Sequence, residues 1–130
     1  MKKEIFNKEY PIYSHVFTNE ESPLQTVDAY LAYFEKKISA HPIATYIATF
    51  NHYEHTMSLS EGKVAANIKD AKNIVFCFGK DLSKPEVLAL RPRSIGVTQT
   101  DDGFHIAFMQ APNEMATKSM ITWIEGLIKS

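Results

Sequence analysis

Cysteine occurs once in this chain, at Cys77, so no disulfide can close within it and no cysteine cluster can hold zinc. A reducing compartment is the simplest setting for such a chain, and a cytoplasmic location is expected. No apolar run is long enough to span a bilayer or to form the core of a secretory signal, so no membrane partner is expected either. Neither sign of charge dominates. Fourteen Lys and Arg against 15 Asp and Glu leave a net charge of −1, which gives no long-range field to hold a polyanion. The only adjacent basic pairs are Lys2-Lys3 and Lys36-Lys37, neither interleaved with aromatic stacking platforms, and no nucleic acid partner is expected. The five glycines, at positions 62, 79, 96, 103 and 126, match neither the dinucleotide fingerprint nor the phosphate loop. No Gly-x-Ser-x-Gly elbow and no His-Glu-x-x-His pair occurs. His52-x-Glu54 formally matches part of a zinc deaminase signature, but the paired cysteines of that signature are absent. No cofactor is implied.

What is present suits an ordinary globular unit. The 130 residues are 45% hydrophobic and 22% charged, without repeats or glycine/serine linkers, so one domain over residues 1–130 is expected to bury its own core. Aromatic and β-branched residues in "YPIYSHVF" (10–17) predict a strand, with Pro11 favouring its start or an edge. Ser22, Pro23 and Gln25 read as a capping box opening a helix whose stripe is Leu24, Val27, Leu31, Phe34 and Ile38, stopped by Pro42. In "IATYIATFNHY" (43–53), Ile43, Thr45, Ile47, Thr49 and Asn51 alternate with Ala44, Tyr46, Ala48, Phe50 and His52. Both sets are partly apolar, which predicts a central strand whose second face is covered by a ligand, a partner or a loop. A short helix is expected in "KVAANIKDA", and a buried strand in "NIVFCFG". "KDLSKPEVLALRP" reads as a long loop anchored by Val87, Leu88 and Leu90, the kind of loop that often serves a site. "RSIGVTQ" and "FHIAFMQ" around Asp102-Gly103 predict a hairpin, and Ala116, Met120, Trp123, Ile124 and Leu127 predict a closing helix. The order β-α-β-(α)-β-β-β-α implies an α+β fold: a largely antiparallel sheet of about five strands with helices mainly on one face.

The stretches "FNHYEHT", "NIVFCFG" and "LALRPRSIGVTQTDDGFHIAFMQAP" resemble the uncharacterised bacterial family known as domain of unknown function 302. A separate small family of similar fold would carry the same order of elements. In the family that the stretches resemble, the Phe-Gly step is usually followed by asparagine-proline; here Phe78-Gly79 is followed by Lys80-Asp81. The resemblance implies a compact α+β domain, paired as a homodimer, with no reaction to carry over.

Three groups of residues carry chemistry. His52, Glu54 and His55 are suitable ligands for zinc or iron, but along a strand the two histidines project to opposite faces, and only a bend or helical turn after Tyr53 would bring them together. His52 can instead serve alone, as a hydrogen-bonding group in a pocket with Tyr46 and Phe50. Arg91 and Arg93 flank Pro92 and, in an extended chain, point the same way, which favours a shared anion. That anion is either a ligand or an internal carboxylate such as Asp81 or Glu86. Cys77, between Phe76 and Phe78, reads as an inert core thiol. Tyr30 and Tyr33 flank the helix stripe and would widen it into a dimer surface. The expected function is a soluble binding or accessory domain without catalysis. Its small ligand or protein partner would lie near Tyr46, Phe50, His52, Arg91 and Arg93. The alternative is a small metal-dependent or acid/base enzyme using His52, Glu54 and His55.

Overall fold

The computed structural model describes residues 1–130. The chain forms β1 (Lys2–Phe6), β2 (Tyr10–Thr18), α1 (Val27–Ala40), β3 (Thr45–Asn51), α2 (His52–Ser58), β4 (Ile68–Cys77), a 3-10 turn (Pro85–Leu90), β5 (Arg93–Thr100), β6 (Gly103–Met109) and α3 (Glu114–Ile128). All strands join one antiparallel sheet in the order β1-β2-β6-β5-β4-β3, so the fold is α+β with six strands rather than five. The additional strand is β1, whose five residues are all exposed. Its Lys2-Lys3-Glu4 start lacks a buried face, and its turn is set by Asn7 and Lys8 at φ 51° and 65° rather than by an Asn-Gly pair.

Register separates the two faces of the sheet. Phe17 pairs with Phe104, Val97 with Ile106, and Ile74 with Ile95, so these side chains share one face, and all six are buried. Against them pack Val27, Tyr30, Leu31, Phe34 and Ile38 of α1 and Ala116, Met120, Trp123, Ile124 and Leu127 of α3, in one core cluster. On the opposite face stand Val16 with His105, Ala107 with Gly96, and Phe50 with Asn73, none of them buried. No long helix covers that face. Cys77 lies on it opposite Thr45, half-buried, so it is not the core thiol expected of it.

Several local expectations are corrected. α1 starts at Val27, and its cap is Thr26, whose Oγ1 accepts from the Ala29 amide at 3.0 Å. Ser22 is instead buried in the preceding loop: its hydroxyl donates to the Leu24 carbonyl and is hydrogen-bonded to the Tyr30 hydroxyl, while the Gln25 side chain donates to the Ser22 carbonyl at 3.1 Å. Tyr30 is therefore core and cannot widen the helix stripe into a surface, whereas Tyr33 is half-buried and donates its hydroxyl to the Trp123 carbonyl at 2.6 Å.

β3 is the sheet's edge, not its centre. A bulge moves its register from Tyr46 opposite Phe76 to Ala48 opposite Val75, which inserts Ile47 and breaks the alternation. The helix expected in "KVAANIKDA" does not form; β4 begins at Ile68 because pairing with β5 overrides the weak helical preference of that stretch. The short helix lies earlier, at His52–Ser58, where the Asn51 side chain accepts from the Glu54 amide at 2.9 Å.

Candidate functional site

Where β4 ends and β5 begins, the 3-10 turn, Arg91-Pro92-Arg93 and the first turn of α3 enclose a pocket of about 100 Å3. Phe78, Val87, Leu90 and Ala111 give it an apolar wall, and Arg91, Arg93 and Asn113 give it a polar one. Arg93 is held from several sides. Its Nη2 donates to the carbonyls of Met109 at 2.7 Å and Gln110 at 3.1 Å, and its Nη1 to that of Leu90 at 3.4 Å. Its Nε is buried and has no hydrogen-bond partner. Burial pushes the Arg93 guanidinium below the usual arginine value, a direction that reports an incompletely solvated charge.

No carboxylate neutralises either arginine. The ion pairs of the fold are Lys2–Glu4, Lys69–Asp101, Lys72–Asp28 and Lys118–Glu114. The internal bridge from Arg91 or Arg93 to Asp81 or Glu86 is not formed; Arg91 Nη1 donates instead to the Asp81 backbone carbonyl at 2.7 Å. α3 adds to the same sign. Asn113 caps it, accepting from the Met115 amide at 2.8 Å, and Pro112, Asn113 and Ala116 line the pocket at the helix's positive end. The arrangement is a half-open apolar cup whose polar wall is cationic. It can receive an anion with a short apolar body, by charge-assisted hydrogen bonds rather than by covalent chemistry.

The other sequence candidates are elsewhere. Tyr46, Phe76 and Arg93 lie in one cross-strand row on the helix-covered face, yet Tyr46 is two strands from Arg93, outside the pocket lining, and bonded to Thr49 at 3.0 Å. The bulge sends Phe50 to the opposite face. The chain turns at His52, and helical spacing sets His52 and His55 on one side, their ring centroids 4.8 Å and 5.5 Å from that of Phe50. The two histidines thus converge, as a helical turn would require, but on an aromatic ring. No group of three or more His, Cys, Asp or Glu side chains, His52, Glu54 and His55 included, is placed to hold a metal ion.

The sequence singles out Arg91 and Arg93 and, as anchors of a site-serving loop, Val87 and Leu90, but does not join them to Phe78, Ala111, Asn113 or Ala116. Asn113 had a legible signal, a capping residue just after Pro112 at a helix start, as did Asn51 with Glu54 three residues later. Phe78, Ala111 and Ala116 had none, because they meet only through the fold.

Fold and site together define a small α+β protein with a one-sided sheet and a cation-walled pocket. The sequence profile of the family of unknown function DUF6858 matches residues 1–129, and the chain belongs to that family. The resemblance to domain of unknown function 302 is not supported; the divergence after Phe78-Gly79 is in keeping with a different uncharacterised family. No curated protein and no solved structure matches the chain.

Proposed function

We propose that this protein is a binding domain for a small organic anion, a carboxylate or phosphate monoester with a short apolar body, held between Arg91, Arg93 and the start of α3. One observation carries the reading: the Arg93 guanidinium, whose charge burial disfavours and no carboxylate neutralises, lines a largely apolar pocket. A half-buried charge without a counter-charge is costly, and an incoming anion supplies one. The size is consistent, since about 100 Å3 is somewhat less than the cavity of about 150 Å3 that takes benzene. The ligand would place its acid group on the arginines and a tail of a few carbons against Phe78, Val87 and Leu90.

Titration of labelled protein with propionate, butyrate and ethyl phosphate, followed by amide chemical shifts, tests the proposal. The Ala111, Asn113 and Ala116 amides should move, and propylamine should move none of them. A charge-assisted hydrogen bond contributes about 1.5–3 kcal/mol, so Arg93→Gln should weaken binding roughly 10- to 100-fold. Arg91→Gln, whose side chain is bonded only to the Asp81 carbonyl, gives a second reading with less effect on folding. Anions that leave all three amides unmoved, or that bind equally well to both variants, overturn it.

A further inference from the structure

A second hollow lies on the other side of Arg91 from the cup, an open groove of about 480 Å3, several times the cup's volume. Thr45 and Cys77, opposite each other on β3 and β4, belong to its floor, and Ile47, Leu82 and Leu88 stand around it. These last three are 49%, 75% and 62% exposed. Large apolar side chains left in water around one hollow mark a binding groove, whereas the same residues scattered singly would need no explanation. The single charge in the lining is Arg91. It enters none of the fold's ion pairs, and its one hydrogen bond runs from Nη1 to the Asp81 backbone carbonyl. Gly79 keeps the space before it clear. A Cβ there would lie 3.1 Å from the Cys77 Sγ and 3.8 Å from the Arg91 Nη1, filling the gap between thiol and guanidinium.

We infer that this groove binds a straight-chain aliphatic carboxylate, its acid group on Arg91 beside Gly79 and its chain laid across Cys77 towards Ile47, flanked by Leu82 and Leu88. Charge selects the head. A guanidinium without a counter-charge, in apolar surroundings, offers a planar fork of donors that suits a carboxylate and repels an amine. The lining selects the body. Besides Arg91, its side chains carry only the Thr45 hydroxyl and the Cys77 thiol as polar groups. A peptide laid there would leave most of its backbone amides and carbonyls without side-chain partners, whereas an acyl chain has no such groups to satisfy. Span selects the length. From Thr45 on β3, over Cys77 on β4, to Pro92 just before β5, the groove crosses two strand spacings, about 10 Å, which an extended chain of about eight carbons matches. Acids of a few carbons, which suit the cup, would leave it mostly unfilled. The groove shares Arg91 with the cup but makes no use of Arg93, so it stands whether or not the cup takes short acids.

Butyrate, hexanoate and octanoate, titrated into labelled protein and followed by amide chemical shifts, test the inference. The Ile47, Gly79 and Leu88 amides should move with octanoate, with a dissociation constant of about 1 mM or below, the scale that about ten heavy atoms in an open groove allow. Affinity read at these amides should rise about 2- to 4-fold for each methylene between butyrate and octanoate. Octylamine should leave them in place. Arg91→Gln should weaken octanoate binding roughly 10-fold, and so should Leu88→Asp, which puts a like charge beside the chain at an exposed position outside the cup. Far-UV circular dichroism checks that both variants fold. The inference is overturned if about 5 mM octanoate leaves Ile47 and Gly79 unmoved, or if its shifts are confined to Ala111, Asn113 and Ala116, which would put the chain in the cup. Equal binding of octylamine, affinity indifferent to chain length, or undiminished binding by both folded variants overturns it too. Tighter binding of acetyl-Ala-Ala-Leu with a free carboxylate than of octanoate would make the occupant a peptide end and overturn it likewise.

Discussion

At the scale of single residues, fit is decided by a few polar atoms in apolar surroundings. His15 packs edge-on to Phe17, with ring centroids 4.5 Å apart, and burial first, then the N-terminal ammonium, push its imidazole below the usual value of 6.5. In the unfolded chain the same group titrates near 6.5, so between the two values the unfolded state binds the extra proton. Stability is therefore full above that value and declines as pH falls through it. The urea midpoint should drop between about pH 7.5 and about pH 5.5, and His15→Gln should flatten part of that slope. Gly126 has a different constraint. A Cβ there would lie 2.6 Å from the Tyr33 hydroxyl, which itself bonds the Trp123 carbonyl and ties α1 to α3. Replacing glycine by alanine within a helix is worth about 1 kcal/mol, but here it displaces a hydrogen bond of similar value. Gly126→Ala should thus leave stability nearly unchanged in the parent and raise it by about 1 kcal/mol in Tyr33→Phe, a coupling that a double-mutant cycle by chemical denaturation would read.

At the scale of elements, local signals and long-range pairing compete. α1 gains its start from Thr26, and Thr26→Ala should cost about 1 kcal/mol in denaturant unfolding, the ordinary loss of a cap, whereas the Pro23 position lies outside the helix and contributes nothing of that kind. Most of the stripe of α1, the core face of α3 and the Asp102-Gly103 hairpin were legible because periodicity and turn chemistry are written over contiguous residues; Leu24 falls before the helix, and Tyr30 takes a place in the buried stripe. Ser22 misled because a serine followed three residues later by glutamine is a cap only if the helix begins there, and its burial beside Tyr30 is a tertiary fact. β3 misled for a related reason. Apolar residues on both faces read as a central strand, but a single inserted residue at Ile47 reassigns every side chain beyond it, and no composition reports a bulge. The candidate site was half legible: two arginines about one proline were visible, whereas the absence of a carboxylate opposite them became visible only in three dimensions.

At the scale of the whole molecule, the two edges of the sheet differ. β1 carries Lys2, Lys3 and Glu4 among five residues, while β3, "TYIATFN", carries no charge among seven. Charge on an edge discourages pairing with other chains, and an uncharged, exposed edge invites it. Ile47→Lys, at a position 49% exposed, should delay light scattering on heating while leaving the unfolding midpoint within about 0.5 kcal/mol of the parent. The one-sided covering of the sheet has a further consequence, for how the chain tolerates change. Along β2, Tyr13, His15 and Phe17 face the helices, and Tyr10, Ile12 and Val16 face outward. One nine-residue stretch therefore spells two interleaved messages, one addressed to the interior and the other to the neighbourhood. A library of substitutions scored separately for stability and for solubility should divide β2 into odd and even positions, and a one-residue deletion within it should scramble both at once.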